Sequence, residues 1–172
     1  MLRFTICFIL QGDKILLLNR EKPAWMGRWN GVGGKIEPGE TPLESILREI
    51  REETELTLEE VSYKGIVTWS GEGVEQGGMH LFLAYLPEDY IYETPKKIRE
   101  GILDWKSLDW VLDPRNEGVA SNIPYFLPVM LQEKGLYDHH CRFEQGCMTG
   151  YEKRPLKGVE NSSALPRKLG SA

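Results

Sequence analysis

The segment from Thr41 to Leu56 constrains the fold most, because it predicts an amphipathic helix with a clearly marked start. Thr41 can cap the helix, Pro42 suits its first turn, and Glu44 completes a capping box. Apolar residues then recur at i, i+3, i+4 and i+7, and they form one face: Leu43, Ile46, Leu47 and Ile50. We therefore predict a surface helix with one side packed on a core.

Beside this apolar face the same helix carries three carboxylates, Glu49, Glu52 and Glu53, at i, i+3 and i+4. At 100° per residue they share one narrow stripe, where each close pair costs roughly 0.2–0.5 kcal/mol in repulsion. One interpretation is a solvated acidic face, relieved by i, i+4 pairs from Arg48 to Glu52 and from Arg51 to Glu55. The other is a metal site.

The position of the stripe favours the metal site. A glycine-rich run, Gly31-Val32-Gly33-Gly34, lies just ahead of the helix and can bring backbone carbonyls and a substrate close together. Ligands that are all oxygen select Mg²⁺ or Mn²⁺ over zinc, and Mg²⁺ combines a few carboxylates with water and substrate phosphates. We therefore expect Mg²⁺ as cofactor, with Mn²⁺ as an alternative.

The whole run resembles the Nudix box, a glycine and a spaced glutamate followed by Arg-Glu-apolar-x-Glu-Glu-x-Gly-apolar. The matching residues are Gly34, Glu40 after five intervening positions, and, after seven more, Arg48-Glu49-Ile50-Arg51-Glu52-Glu53-Thr54-Glu55-Leu56. Every defined position fits except Glu55, which stands where the family has glycine. Because a glycine just past a helix relieves a positive φ, this departure affects stability rather than chemistry.

The resemblance extends over roughly residues 2 to 155 and is nearest to the MutT-like 8-oxo-dGTP diphosphatases, which act on oxidised purine nucleoside triphosphates. It implies an α+β Nudix fold, an α/β/α sandwich around a central mixed β-sheet. Arg28-Trp29-Asn30-Gly31-Val32-Gly33-Gly34-Lys35 resembles the strand and loop that lead into the box in these enzymes. Asn122-Ile123-Pro124 resembles their Asn-x-Pro at the purine pocket.

The resemblance also implies roles for residues in the box and near it. Glu49, Glu52, Glu53 and the Gly34 carbonyl would hold the metal. Glu53 or Glu100 would activate water, since Glu100 begins a segment, residues 100–105, that resembles one placing an extra carboxylate over the metal. Arg48 would hold the carboxylates in position, which overlaps with a plain salt bridge to Glu52. Glu40 would either orient the same metal-binding carboxylates or only interact with the helix dipole. The alternative for Glu100 is a surface residue without a role in the site.

Five residues are expected to bind substrate: Arg20, Asn30, Lys35, Trp69 and Asn122. Arg20 ends a strand that points toward the loop, where it would contact phosphate unless it is a free surface arginine. Trp69, like Trp25, either stacks on a purine or fills the core. Asn122 either reads the base or caps the helix that starts near Ile123.

Composition limits the other possibilities. The 172 residues carry a net charge of −5, which argues against an extended nucleic-acid partner, and no stretch approaches the ~20 apolar residues that span a membrane. Cys7, Cys141 and Cys147 match no zinc spacing, and we interpret them as reduced thiols of a cytoplasmic protein. We expect a small-molecule nucleotide as partner and a monomer or homodimer.

We predict one domain over residues 1–157 and a disordered tail over residues 158–172. A helix is predicted over residues 123–134 and a last hairpin over residues 137–143 and 148–153. Other strands are predicted over residues 2–10, 14–19, 63–70, 79–85 and around 104–111.

The function that follows is metal-dependent hydrolysis of a nucleoside triphosphate to monophosphate and pyrophosphate. The expected substrates are oxidised purine nucleotides such as 8-oxo-dGTP, which would place the enzyme in nucleotide-pool sanitation and DNA repair. Two alternatives stay open. One is a Nudix hydrolase of another nucleotide, such as ADP-ribose, a dinucleoside polyphosphate or an RNA 5′ end. The other is a Nudix domain that binds a ligand or partner without catalysis.

Overall fold

The computed structural model describes residues 2–157, and the predicted tail over residues 158–172 lies outside them. The strands are β1 (Phe4–Gln11), β2 (Lys14–Arg20), β3 (Trp29–Asn30), β4 (Ser62–Glu72), β5 (Val74–Tyr85), β6 (Lys96–Ile98), β7 (Gly101–Ser107), β8 (Tyr137–Glu144) and β9 (Cys147–Pro155). The helices are α1 (Pro42–Thr54), α2 (Leu108–Leu112) and α3 (Ile123–Gln132). Within residues 2–157 no helix is both long and apolar enough to cross a membrane.

In the described part of the chain the strands form one sheet, in the order β6-β7-β2-β1-β5-β4-β8-β9, with β3 paired to β2. The pairs β1–β5 and β4–β8 are parallel, and the remaining pairs are antiparallel. The sheet is therefore mixed, as predicted.

Each face of the sheet buries its own apolar core, because side chains alternate along a strand. On β1, Ile6 and Phe8 belong to the core beneath α2 and α3, whereas Cys7 and Ile9 belong to the core beneath α1. Ile46 and Ile50 of α1 are fully buried in the second core. Helices therefore cover both faces, which confirms the predicted α/β/α sandwich of the Nudix fold.

Helix α1 begins and ends as the sequence indicates. The Thr41 side chain accepts a hydrogen bond from the Glu44 amide, and the Glu44 carboxylate accepts one from the Thr41 amide, so the capping box is complete. At the other end Glu55 has φ +63° in the left-handed region, and its N–H donates to the Arg51 carbonyl. The glutamate thus occupies a conformation that favours glycine.

The prediction of a strand around residues 104–111 is wrong over its second half. Strand β7 ends at Ser107, and the chain turns into the short helix α2. Leu108, Val111 and Leu112 recur at i, i+3 and i+4, and this helical face packs on the core shared with α3. The run also contains Trp105 and Trp110, so its apolar pattern alone did not distinguish strand from helix.

The last hairpin is confirmed, since β8 and β9 pair antiparallel over most of their length. Strand β8 joins the rest of the sheet by its parallel pairing with β4, in which Thr68 lies opposite His140. The hairpin therefore extends the sheet beyond the area that α1 covers.

Candidate active site

The glycine-rich loop lies against β1, between this strand and α1. The Cys7 amide donates to the Val32 carbonyl over 2.7 Å, and the Thr5 amide donates to the Gly34 carbonyl over 2.9 Å. A Cβ on Gly33, where φ is +150°, would collide with the Thr5 carbonyl. Only glycine allows this close approach, so the backbone of the loop is held beside the carboxylates of α1.

Glu53 lies in the interior of the site. It is only 5% exposed, and its Oε2 accepts a hydrogen bond from the Gly33 amide over 2.9 Å. Burial raises the pKa of this carboxyl group to about 8, and the negative charges of Glu49 and Glu100 add to the rise; the Gly33 hydrogen bond and Arg20 oppose it. A buried carboxylate in this position would be stabilised by a bound cation.

Glu49 has only 14% of its side chain exposed and lies directly against the loop. A Cβ on Gly34 would come within 2.5 Å of Glu49 Oε1, so the absence of a side chain at Gly34 makes room for this carboxylate. Burial raises the pKa of Glu49, while its hydrogen bond with Arg48 lowers it. Glu52 differs, because 57% of its side chain is exposed.

Arg48 connects the carboxylates of the box. Its Nε and Nη2 donate to the two oxygens of Glu40 over 2.6 and 2.9 Å, and its Nη1 donates to Glu49 over 2.8 Å and to Glu52 over 3.2 Å. The hydrogen bonds from Arg48 hold the pKa of Glu40 at about 2. Both interpretations of Arg48 are therefore realised, since it pairs with Glu52 and also holds Glu40 and Glu49.

These contacts explain why the three carboxylates of the stripe do not converge on one point. Among residues 2–157 no three acidic, histidine or cysteine side chains converge tightly enough to enclose a metal ion. Glu49 and Glu52 are both turned toward Arg48, and the second predicted pair forms elsewhere, because Glu55 contacts Lys96 instead of Arg51. The candidate ligand atoms are nevertheless all oxygens, and the group carries more negative than positive charge. Such a group suits a divalent cation whose coordination is completed by water and phosphate.

Arg20 and Glu100 lie near this acidic group. Arg20 ends β2, and its Nε is buried with no hydrogen-bond partner among the described residues. A buried donor without a partner is costly, so an anion that approached Arg20 would gain a hydrogen bond the protein does not make itself. Glu100 lies one residue before β7 and close enough to raise the pKa of Glu53.

A cavity of about 550 Å³ opens beside the loop and is lined by Arg20, Gly33 and Gly34 at that end. Three of the predicted substrate residues line it as well, namely Asn30, Trp69 and Asn122. Asn30 and Asn122 are at most 9% exposed. Asn122 precedes α3, but its side chain makes no capping hydrogen bond. The structure therefore does not support the interpretation of Asn122 as a helix cap.

Lys35 is not brought into this cavity. Its side chain is exposed, and its contribution is a carbonyl that accepts a hydrogen bond from Arg48 over 3.1 Å. The residue adjoins the loop in sequence, but the chain turns away after Gly34 to pair with β1.

The sequence interpretation missed most of the apolar lining. Phe126 of α3, Phe143 of β8 and Met79 of β5 all face the cavity, and Trp25 meets Phe143 with ring centroids 6.2 Å apart. Phe126 lies in the helix predicted over residues 123–134, but no local pattern distinguishes the wall of a cavity from a filled core.

Comparison with known proteins agrees with this geometry. The model of the NUDIX domain matches residues 1–125. The chain belongs to the Nudix family. It is 29% identical over 154 residues to the mouse oxidized purine nucleoside triphosphate hydrolase, covering 89% of this chain and 94% of the mouse protein. It is 31% identical over 131 residues to the zebrafish protein of the same name, covering 76% of this chain and 80% of that one.

Among solved structures, a mutator MutT protein from Bacillus halodurans matches with a TM-score of 0.72 and 30% identity, over 89% of this chain and 97% of that one. The chain is thus a MutT-like Nudix hydrolase. Hydrolases of this family generally use divalent metal ions, in line with the oxygen-rich group on α1.

Proposed function

We propose that this Nudix hydrolase cleaves oxidised purine nucleoside triphosphates such as 8-oxo-dGTP to monophosphate and pyrophosphate. The observation that carries the proposal is the pairing of two buried asparagines, Asn30 and Asn122, with an aromatic-lined cavity that ends at the carboxylates of the box. Such a cavity can hold a flat base at one end and present its phosphates to a metal at the other.

The amide groups supply a physical basis for choosing the oxidised base. Guanine presents two acceptors, N7 and O6, whereas 8-oxoguanine carries a proton on N7 and so presents a donor beside O6. An asparagine amide offers one donor and one acceptor side by side, which complements the oxidised base and opposes N7 of the normal one. A mismatched buried pair costs about 1–3 kcal/mol, or roughly 5- to 150-fold in discrimination.

At the phosphate end, Glu49, Glu52, Glu53 and the second lone pair of the Gly34 carbonyl would hold Mg²⁺, or Mn²⁺ as the alternative. The bound ion would neutralise charge on the phosphates and acidify a water molecule. Arg48 keeps Glu40 and Glu49 in place through its hydrogen bonds, so their orientation does not depend on the ion. Arg20 would donate its unpartnered Nε–H to a phosphate oxygen.

Two carboxylates are candidates to take the proton of the attacking water. Glu53 is fixed on one side by the Gly33 amide and has its other oxygen for the proton. Glu100 approaches from the turn between β6 and β7, and its charge raises the pKa of Glu53. Retention of all four box glutamates favours catalysis over a domain that only binds a ligand.

The free thiols of Cys7, Cys141 and Cys147 favour a reducing compartment such as the cytoplasm.

The test is a set of kcat/KM values for 8-oxo-dGTP, dGTP and ADP-ribose with Mg²⁺, with pyrophosphate and orthophosphate measured separately. We expect pyrophosphate release and a preference for 8-oxo-dGTP that falls toward one in Asn122→Ala. Asn30→Ala, which removes the other buried amide that lines the cavity, is compared with Asn122→Ala in the same assay. Equal losses for both purine substrates would remove Asn122 from base recognition, and faster hydrolysis of ADP-ribose would overturn the proposed substrate.

A further inference from the structure

A chain of side-chain hydrogen bonds joins β4 to β8. Thr68 Oγ1 donates to Asp138 Oδ1 over 2.6 Å and lies 2.9 Å from His140 Nδ1, while Ser70 Oγ lies 2.9 Å from His140 Nε2. These four residues line an open groove of about 590 Å³, separate from the box. We name them the β4–β8 clamp.

For an ionised Asp138 and a neutral His140, counting protons gives the direction of each bond in the clamp. Thr68 has one hydroxyl proton, and an ionised carboxylate only accepts, so this proton goes to Asp138. Thr68 must then accept from the Nδ1–H of His140. The Nε2 of the neutral ring is left without a proton and accepts the hydroxyl proton of Ser70. The clamp thus uses its protons between the two strands and presents none of them to a ligand in the groove.

The clamp lies on the opposite side of the sheet from the cavity of about 550 Å³ beside the glycine-rich loop, which is called the nucleotide cavity here after its proposed function. Side chains alternate along a strand, and Trp69, between Thr68 and Ser70, packs on the core that contains Phe143. Trp69 and Phe143 both line the nucleotide cavity, one from each clamped strand. In the described sheet the hairpin β8–β9 reaches the remaining strands only through β4.

We infer that Thr68 and His140 are positioning residues for the nucleotide cavity, because they hold β4 and β8 so that Trp69 and Phe143 form one wall. This inference deepens the proposed function and rests on it only in taking the cavity as the place where the base binds. Neither residue touches the cavity, the box or the loop.

The decisive variant is Thr68→Val, which keeps the shape and the β-propensity of threonine but removes the hydroxyl at the centre of the clamp. We expect KM for the preferred nucleotide to rise roughly 3- to 10-fold while kcat stays within about 2-fold, since the carboxylates of α1 are not disturbed. Thr68→Ser restores the hydroxyl and should restore KM. The matched control is Thr57→Val, the same substitution at an exposed position between α1 and β4.

A second measurement needs no turnover. Hydrogen exchange of the β8 amides should be faster in Thr68→Val than in the wild type, Thr68→Ser and Thr57→Val, with exchange in α1 unchanged. Unchanged β8 exchange, or a Thr68→Ser variant as impaired as Thr68→Val, would overturn the clamp whatever the substrate is. Faster β8 exchange in Thr68→Val, in a protein whose wild type hydrolyses no purine triphosphate, would keep the clamp and refute the proposed function alone.

Discussion

Replacing Glu55 by glycine should stabilise the protein, because Glu55 holds φ +63° at the end of α1. A non-glycine residue in the left-handed region costs roughly 1–2 kcal/mol. Glycine removes that cost, but it also makes the unfolded chain more flexible, which returns about 0.4–1 kcal/mol. The hydrogen bond from the residue-55 amide to the Arg51 carbonyl is unaffected by the change.

The side chain of Glu55 contributes one further interaction, its ion pair with Lys96. With 77% of the Glu55 side chain exposed, this pair is worth at most about 1 kcal/mol and is screened by salt. Glu55→Ala loses the same pair and keeps the backbone strain, so it is the matched control. The difference between the glycine and alanine variants therefore isolates the backbone, and we expect about 0.5–1 kcal/mol in favour of glycine.

Urea unfolding and thermal melts of the wild type, Glu55→Gly and Glu55→Ala at moderate salt provide the measurement. A gain of 1 kcal/mol corresponds to about 2–4 °C for a protein of this size. The kcat of Glu55→Gly should equal that of the wild type, since no carboxylate of the stripe changes. A glycine variant that melts at or below the alanine variant would refute the strain at Glu55.

Other predictions concern the site and the core. Glu53→Gln should lower kcat at least about 10²-fold without unfolding the protein, and near-normal turnover would contradict its role. Chelation with EDTA should abolish activity, and Mg²⁺ or Mn²⁺ should restore it; activity that survives would exclude the metal mechanism. Burial lowers the pKa of His139 from 6.5 to about 4, so the unfolded chain takes up this proton first as the pH falls. Stability from His139 is then present above pH 6.5 and is lost toward pH 4. Between pH 7 and 5 the free energy of unfolding should fall by about 2 kcal/mol more in the wild type than in His139→Gln; equal falls would contradict the assignment.

The sequence by itself determined the parts of this protein that depend on neighbours along the chain. The capping box, the apolar face of α1 and the stripe of Glu49, Glu52 and Glu53 follow from spacings within one helix. The left-handed end at Glu55 was expected from the resemblance, because the Nudix box has glycine at this position. The alternation on β1 and the final hairpin follow in the same way from the period of a strand. Local geometry sets these features, and the residue pattern records it.

Only the tertiary structure decided how different the members of the stripe are. Glu53 is buried under the loop, whereas Glu52 is exposed, although the two residues are adjacent in the sequence. The difference arises because the loop crosses one side of α1 and places the Gly33 amide against Glu53. Its raised pKa depends on that burial and on charges from Glu49 and the distant Glu100, which no local spacing encodes.

The cavity beside the glycine-rich loop is likewise a product of long-range packing. Asn30 comes from β3, Asn122 from the start of α3 and Phe143 from β8, and the sheet order brings these three segments together. The same packing turns Lys35 outward, although it lies next to the loop in sequence. A hydrophobic pattern states that a residue is buried but not what it faces, so a cavity and a filled core look alike until the strands and helices are assembled.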